Sequence, residues 1–142
     1  AGSLGWGFPA ALGAKCAEPD RPVICFTGDG GFWYHLSELE TAARFGINTV
    51  TVVNNNRSFN QCKDGFDKIY QNQESGSPDD LWVFEDVNFA EVARSMGCLG
   101  IRVENPSDIS SALEQAIEAN RPVVVDVASD IEAMAPVAFV PE

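Results

Sequence analysis

The chain has 142 residues, 45% of them apolar, which is enough for one domain with a buried core and too few for two of ordinary size. Acidic side chains outnumber basic ones 21 to 9, and the formal charge of -12 counts against nucleic acid and anionic membrane surfaces, both of which are bound through basic patches. No run reaches the roughly 18 apolar residues of a membrane span, the first residues lack the pattern of a secretion signal, and Cys16, Cys25, Cys62 and Cys98 show no CxxC spacing, so the expectation is a reduced, cytoplasmic protein.

In chain order, a glycine-bearing turn, "AGSLGWG", opens onto a helix expected over Phe8 to Ala17. A strand over Val23 to Thr27 follows and runs into "GDGG", residues 28 to 31. The spacing of Leu36, Leu39 and Ala43 predicts a helix over Leu36 to Phe45, with Ser37 and Glu40 at capping-box distance and Gly46 as the stop. Trp33 and Tyr34 are expected to pack at the start of this helix, and His35, the one histidine, is read as scaffold. The next strand, Thr49 to Val53, ends on Asn54, Asn55 and Asn56. A long polar connection, residues 54 to 88, departs from the rhythm, and connections of that length in a compact domain are usually functional. Beyond it come a helix over Phe89 to Met96, a strand over Gly100 to Val103, a helix over Ser107 to Ala119 introduced by Pro106, and a strand over Val123 to Val127. The residues from Ile131 onward read as an extended tail. Apolar strands alternating with helical segments mark βαβ units and a parallel sheet.

"GDGG" therefore falls at the carboxyl end of a strand, the edge at which open α/β sheets bind ligands. A tight Asp-Gly hairpin turn is the bland alternative, but it needs a second strand where the helical pattern begins. Gly30 and Gly31 lack a Cβ and let backbone amides approach an anion, whereas Asp29 repels a bare phosphate, so a cation is needed between them. Mg²⁺ takes about six oxygen ligands from carboxylate, carbonyl, phosphate and water. The asparagines 25 to 27 positions beyond Asp29 emerge from the following strand, which is expected to lie next to the first, and so bring a neutral oxygen donor within reach. Three asparagines can also simply make a turn. A dinucleotide site is a further alternative, since Gly5-x-Gly7-x-x-Ala10 satisfies that fingerprint as a string, although it requires a strand immediately upstream.

The pairing of "GDG" with "NN" resembles the cofactor motif of thiamine diphosphate enzymes of the acetolactate synthase and pyruvate decarboxylase group, and the likeness extends from "GSLGWGFPAALGAK" to "RPVVVDV". The resemblance implies an α/β fold of three layers, α/β/α, over a mostly parallel sheet, forming part of a thiamine diphosphate-binding domain that spans residues 1 to 142 and lacks its first strand and helix. It implies Asp29 and Asn56 as Mg²⁺ ligands through their side chains and Ser58 through its backbone carbonyl. Gly30 and Gly31 would meet the diphosphate through their amides, at a position where the family often has Ser or Ala in place of Gly31. Leu4 would support the bent cofactor from below and Gly2 would offer its carbonyl to the 4'-amino group, with Ser3, Gly28, Phe59 and Asn60 as further contacts. No catalytic residue is assigned, because in the family the glutamate that activates the aminopyrimidine belongs to a separate pyrimidine-binding domain, on missing sequence or another subunit. The implied function is the diphosphate and Mg²⁺ half of an enzyme acting on a small 2-oxo acid by carboligation or decarboxylation, inactive as an isolated chain and dimeric through an exposed sheet edge. A non-catalytic binding or assembly module with the same fold is the competing reading.

Overall fold

A computed structural model describes residues 2–62 and 82–133. The elements are α1 (Gly7–Ala17), β1 (Ile24–Gly28), α2 (Asp29–Trp33), α3 (Glu38–Phe45), β2 (Val50–Asn55), α4 (Phe89–Ser95), β3 (Leu99–Val103), a 3-10 turn (Pro106–Asp108), α5 (Ile109–Glu118) and β4 (Val123–Ala128). All strand pairs are parallel and the sheet order is β1-β2-β4-β3.

That order decides the layers. The steps β1 to β2 and β2 to β3 move in one direction across the sheet, and the step β3 to β4 moves back. Right-handed crossovers in opposite directions place their helices on opposite faces. Accordingly Leu39 and Ala42 of α3 and Phe89 and Ala93 of α4 pack with Cys25, Val53 and Val124 on one face. Ala112 and Ala116 of α5 pack with Val50, Val52, Val103, Val123 and Val125 on the other. Edge-to-face contacts of Phe32 with Phe8 at 5.1 Å and with Phe89 at 5.5 Å join α1, α2 and α4. The expected three-layer α/β arrangement is thus present, with strand and helix ends within one or two residues of those read from the sequence.

Two boundaries differ for a physical reason. The helix expected over Leu36 to Phe45 begins two residues later, as α3, and is preceded by a short helix that the sequence reading did not contain, because Asp29 already begins α2 and a run of turns over Tyr34 to Ser37 carries the chain into α3. In that run the amides of Glu38, Leu39 and Glu40 donate to the carbonyls of His35, Leu36 and Ser37. The Ser37 side chain makes no capping bond, since the donors it would cap are already satisfied. The Ser107 to Ala119 helix likewise begins as the 3-10 turn at Pro106. Gly46, at φ 63, ends α3 in the left-handed conformation expected of a helix stop.

β1 lies at the sheet edge, and its side toward α5 is uncovered. Ile24 and Phe26 pair in register with Val50 and Val52, yet they are 52% and 75% exposed, because α5 lies over β2, β4 and β3 only. Tail residues 134–142 and the central part of the long connection, 63–81, fall outside the described residues.

Candidate functional site

At the carboxyl end of β1 the chain passes through the extended Gly28 into Asp29, the first residue of α2. Asp29 is 2% exposed, and its carboxylate bridges two strand ends. Oδ1 accepts the Gly30 N–H at 2.7 Å, and Oδ2 accepts the Ser58 N–H at 3.1 Å from the turn that follows β2. Burial pushes the Asp29 carboxyl above its ordinary range, and backbone N–H groups of Gly30, Arg57 and Ser58 pull it partly back. The turn depends on Arg57, whose φ of 60 is costly for a residue with a Cβ. The Asn56 amide oxygen accepts from the Ser58 N–H at 3.2 Å and from the Ser58 hydroxyl at 3.1 Å.

One N–H therefore gathers a carboxylate oxygen from one strand end and an amide oxygen from the next. This all-oxygen donor set suits a hard divalent ion. No cluster of three or more His, Cys, Asp or Glu side chains occurs among the described residues, so any cation held here must complete its shell with carbonyl, water or a ligand's own oxygens.

Beside this pair lies a cavity of about 470 Å³ lined by Ser3–Gly7, Thr27–Gly31, Asn54, Asn56 and Ser58–Cys62. Gly30 has to be glycine, since a Cβ there would lie 2.5 Å from Cδ1 of Phe59. A Cβ at Gly31 would point toward Thr27 Oγ1 at 3.1 Å and Leu4 Cδ1 at 3.6 Å, so this glycine opens onto the cavity. Phe59 is fixed by its N–H to the Trp82 carbonyl at 2.9 Å and an edge contact with Phe84 at 4.7 Å. Leu4 is 53% exposed at the cavity wall, outside the core. Asn60 donates to the Ile131 carbonyl at 2.9 Å.

Of the residues singled out in the sequence, the structure brings together Ser3, Leu4, Gly28, Asp29, Gly30, Gly31, Asn56, Ser58, Phe59 and Asn60. Gly2 stands exposed outside the lining. The Gly30 amide is already committed to Asp29, so a phosphate would have to compete with that bond. The dinucleotide string at Gly5 to Ala10 occupies a turn and the start of α1, and the residues described before it form no strand. Trp33 stacks edge-on with Phe89 at 5.0 Å as a packing residue, whereas Tyr34 is exposed and turns toward Phe59. Asn54, one of the three asparagines read as candidate oxygen donors, also lines the cavity, and Thr27 and Cys62 line it without a sequence signal for the site. A buried network behind it, Asp126 with Asn55 and Arg102, also escaped the sequence reading, although a carboxylate inside "VVVDV" was a visible irregularity.

The family model described as "Thiamine pyrophosphate enzyme, C-terminal TPP binding domain" matches residues 1–127. The acetolactate synthase large subunit of Haemophilus influenzae is 38% identical over 131 residues, 92% of this chain and 22% of that protein. The acetolactate synthase isozyme 3 large subunit of Escherichia coli is 36% identical over 132 residues, 91% of this chain and 22% of that protein. Among solved structures, the thiamine diphosphate-dependent 4-hydroxybenzoylformate decarboxylase of Rhodococcus jostii superposes with a TM-score of 0.77 at 32% identity, covering 89% of this chain and 23% of that one. The chain thus spans about a fifth of the length of these relatives.

Proposed function

The chain belongs to the thiamine pyrophosphate enzyme family as its C-terminal cofactor-binding domain, and from that premise we propose that it holds the diphosphate end of thiamine diphosphate through Mg²⁺ within a larger enzyme acting on a 2-oxo acid. The observation that carries this reading is the convergence of Asp29 Oδ2 and Asn56 Oδ1 on the Ser58 N–H, at the rim of a cavity opened by glycines. Asp29 and Asn56 would hold the ion with their side chains and Ser58 with its carbonyl. The single carboxylate would offset half of the cation's charge and leave a net positive charge to meet the diphosphate. Gly30 and Gly31 would keep side chains out of the path of a phosphate, and Leu4 would present an apolar surface to the ring end of the cofactor.

The bound cofactor supplies an electron sink for a bond adjacent to a carbonyl. Among the described residues that line the cavity, Asp29 is the one carboxylate. It would be committed to the cation, and we assign the acid that activates the aminopyrimidine to a pyrimidine-binding domain, in further sequence or in another subunit. Acetolactate synthase-like carboligation and simple decarboxylation both fit this division of labour, in the cytoplasm and in a homodimer.

Calorimetric titration with thiamine diphosphate, with and without Mg²⁺, tests the reading. The expected result is heat of binding that requires Mg²⁺ and is lost in Asp29→Ala while the circular dichroism of the variant is preserved. Equal binding by Asp29→Ala, or binding indifferent to Mg²⁺, sinks it.

A further inference from the structure

We propose that Asp126, which lies behind the cavity and does not line it, is a positioning residue for the cation site and acts through Asn55. The proposal rests on the reading of Asp29, Asn56 and Ser58 as the site of a Mg²⁺-bound diphosphate. Asp126 sits in the third of four parallel strands at 0% exposure, and its carboxylate contacts three separate elements. Oδ2 accepts from Arg102 of β3 at 2.6 Å and from the Phe89 N–H at the start of α4 at 2.8 Å. Oδ1 accepts the Asn55 amide of β2 at 2.9 Å. A counter-ion for Arg102 alone would need only the first of these bonds, and Arg102 already has Asp86 at 3.7 Å and Glu104 at 3.6 Å.

Asn55 is the residue that this arrangement immobilises. Its Nδ2 donates both to Asp126 and, at 3.0 Å, to the Val87 carbonyl, and its own carbonyl accepts the Ser129 N–H at 2.9 Å. Backbone and side chain are thus held at three points, by β4 with its exit and by the approach to α4, at the last position of β2. The next residue is Asn56, followed by left-handed Arg57 and by Ser58, whose N–H gathers the two oxygens of the cation site. A rotation at Asn55 would carry Asn56 Oδ1 away from Asp29. The far side of the long connection is tied at the same place, since the Phe59 and Phe84 amides donate to the Trp82 and Arg57 carbonyls and Ser58 bridges Val83. Asp126 and Asn55 therefore set the direction in which the turn leaves the sheet, and partners behind a first ring of ligands commonly govern metal affinity in this way.

The test compares Asp126→Asn, Asn55→Ala and their double variant with Val125→Ala, which removes core volume on the opposite face without touching the network. Asn55→Ala leaves Asp126 its bonds to Arg102 and Phe89, so it remains informative if Asp126→Asn does not fold. The measurement is the Mg²⁺ concentration at half-maximal binding of thiamine diphosphate, read by calorimetry in the intact protein, with the melting temperature recorded for each variant. Expected is a rise of about tenfold for Asp126→Asn and Asn55→Ala, no larger rise in the double variant, and an unchanged midpoint in Val125→Ala despite a lowered melting temperature. Midpoints in the two network variants no different from Val125→Ala, beside normal Mg²⁺-dependent binding by the unmodified protein, overturn the proposal alone. Absence of Mg²⁺-dependent binding in the unmodified protein overturns the underlying reading, and the proposal with it.

Discussion

Gly30 shows how a single residue is specified by its neighbours. Phe59 covers it and cannot swing clear, being held by Phe84 and the Trp82 carbonyl. Gly30→Ala should therefore lower stability by about 1–3 kcal/mol and weaken cofactor binding, whereas Gly31→Ser, whose Cβ would come no nearer than 3.1 Å to Thr27 Oγ1, should cost far less. Urea denaturation of both variants checks the order, and Phe59→Ala should rescue Gly30→Ala. The cysteines divide in the same local way. Burial pushes the thiols of Cys25 and Cys98 up, with Arg121 opposing the shift at Cys98, while Cys16 and Cys62 are exposed. Because the folded-state values are raised, the stability that these two neutral thiols contribute is complete below the unfolded thiol range near 8.5 and is lost as pH rises through the raised values. Iodoacetamide at mildly alkaline pH should label Cys16 and Cys62 in the folded chain and reach Cys25 and Cys98 only in denaturant, as peptide mass spectrometry would show. The glycines and Asp29 were readable because their chemistry is local. The network of Asp126 was not, because its partners lie 24 to 71 residues away in sequence.

Helix α4 illustrates what an element requires beyond its own residues. Its start is local: the Asn88 side chain accepts the Glu91 N–H at 3.0 Å, a cap formed within one turn of sequence. Its seat is not local, because the Ala90 backbone rests on Gly100 of β3, where a Cβ would lie 2.6 Å from the Ala90 carbonyl carbon. Asn88→Ala should cost about 1 kcal/mol. Gly100→Ala should cost about 3 kcal/mol, since backbone cannot yield as a side chain can. Thermal melts of the two would show the reverse order if α4 were held mainly by its cap. The expected capping box at Ser37 failed for the complementary reason: α3 does begin there, but the amides of Leu39 and Glu40 that a cap would satisfy already donate to the carbonyls of Leu36 and Ser37 in the turns before it.

For the molecule as a whole, the sheet order leaves β1 at an edge with Ile24 and Phe26 bare on the side that α5 does not reach. An unpaired strand edge joined to an apolar face favours association. Sedimentation velocity should show the chain associating as concentration rises, and Phe26→Lys should shift the distribution toward monomer without changing the far-ultraviolet circular dichroism. A monomer at every concentration would count against the edge as an interface. The high negative charge works against association, so added salt should strengthen it by screening.

The sequence by itself determined the strands, the longer helices, the parallel sheet and most of the residues that gather around Asp29, because strand and helix periods and the paired "GDG" and "NN" are patterns set by local sterics and side-chain chemistry. The tertiary structure alone decided three things. It committed the Gly30 amide to Asp29, left Gly2 out of the cavity wall, and delivered Asp126 from β4 to hold Asn55 behind the turn. Each depends on which strands become neighbours and in which register, and that choice is made by packing helices on both faces of the sheet at once.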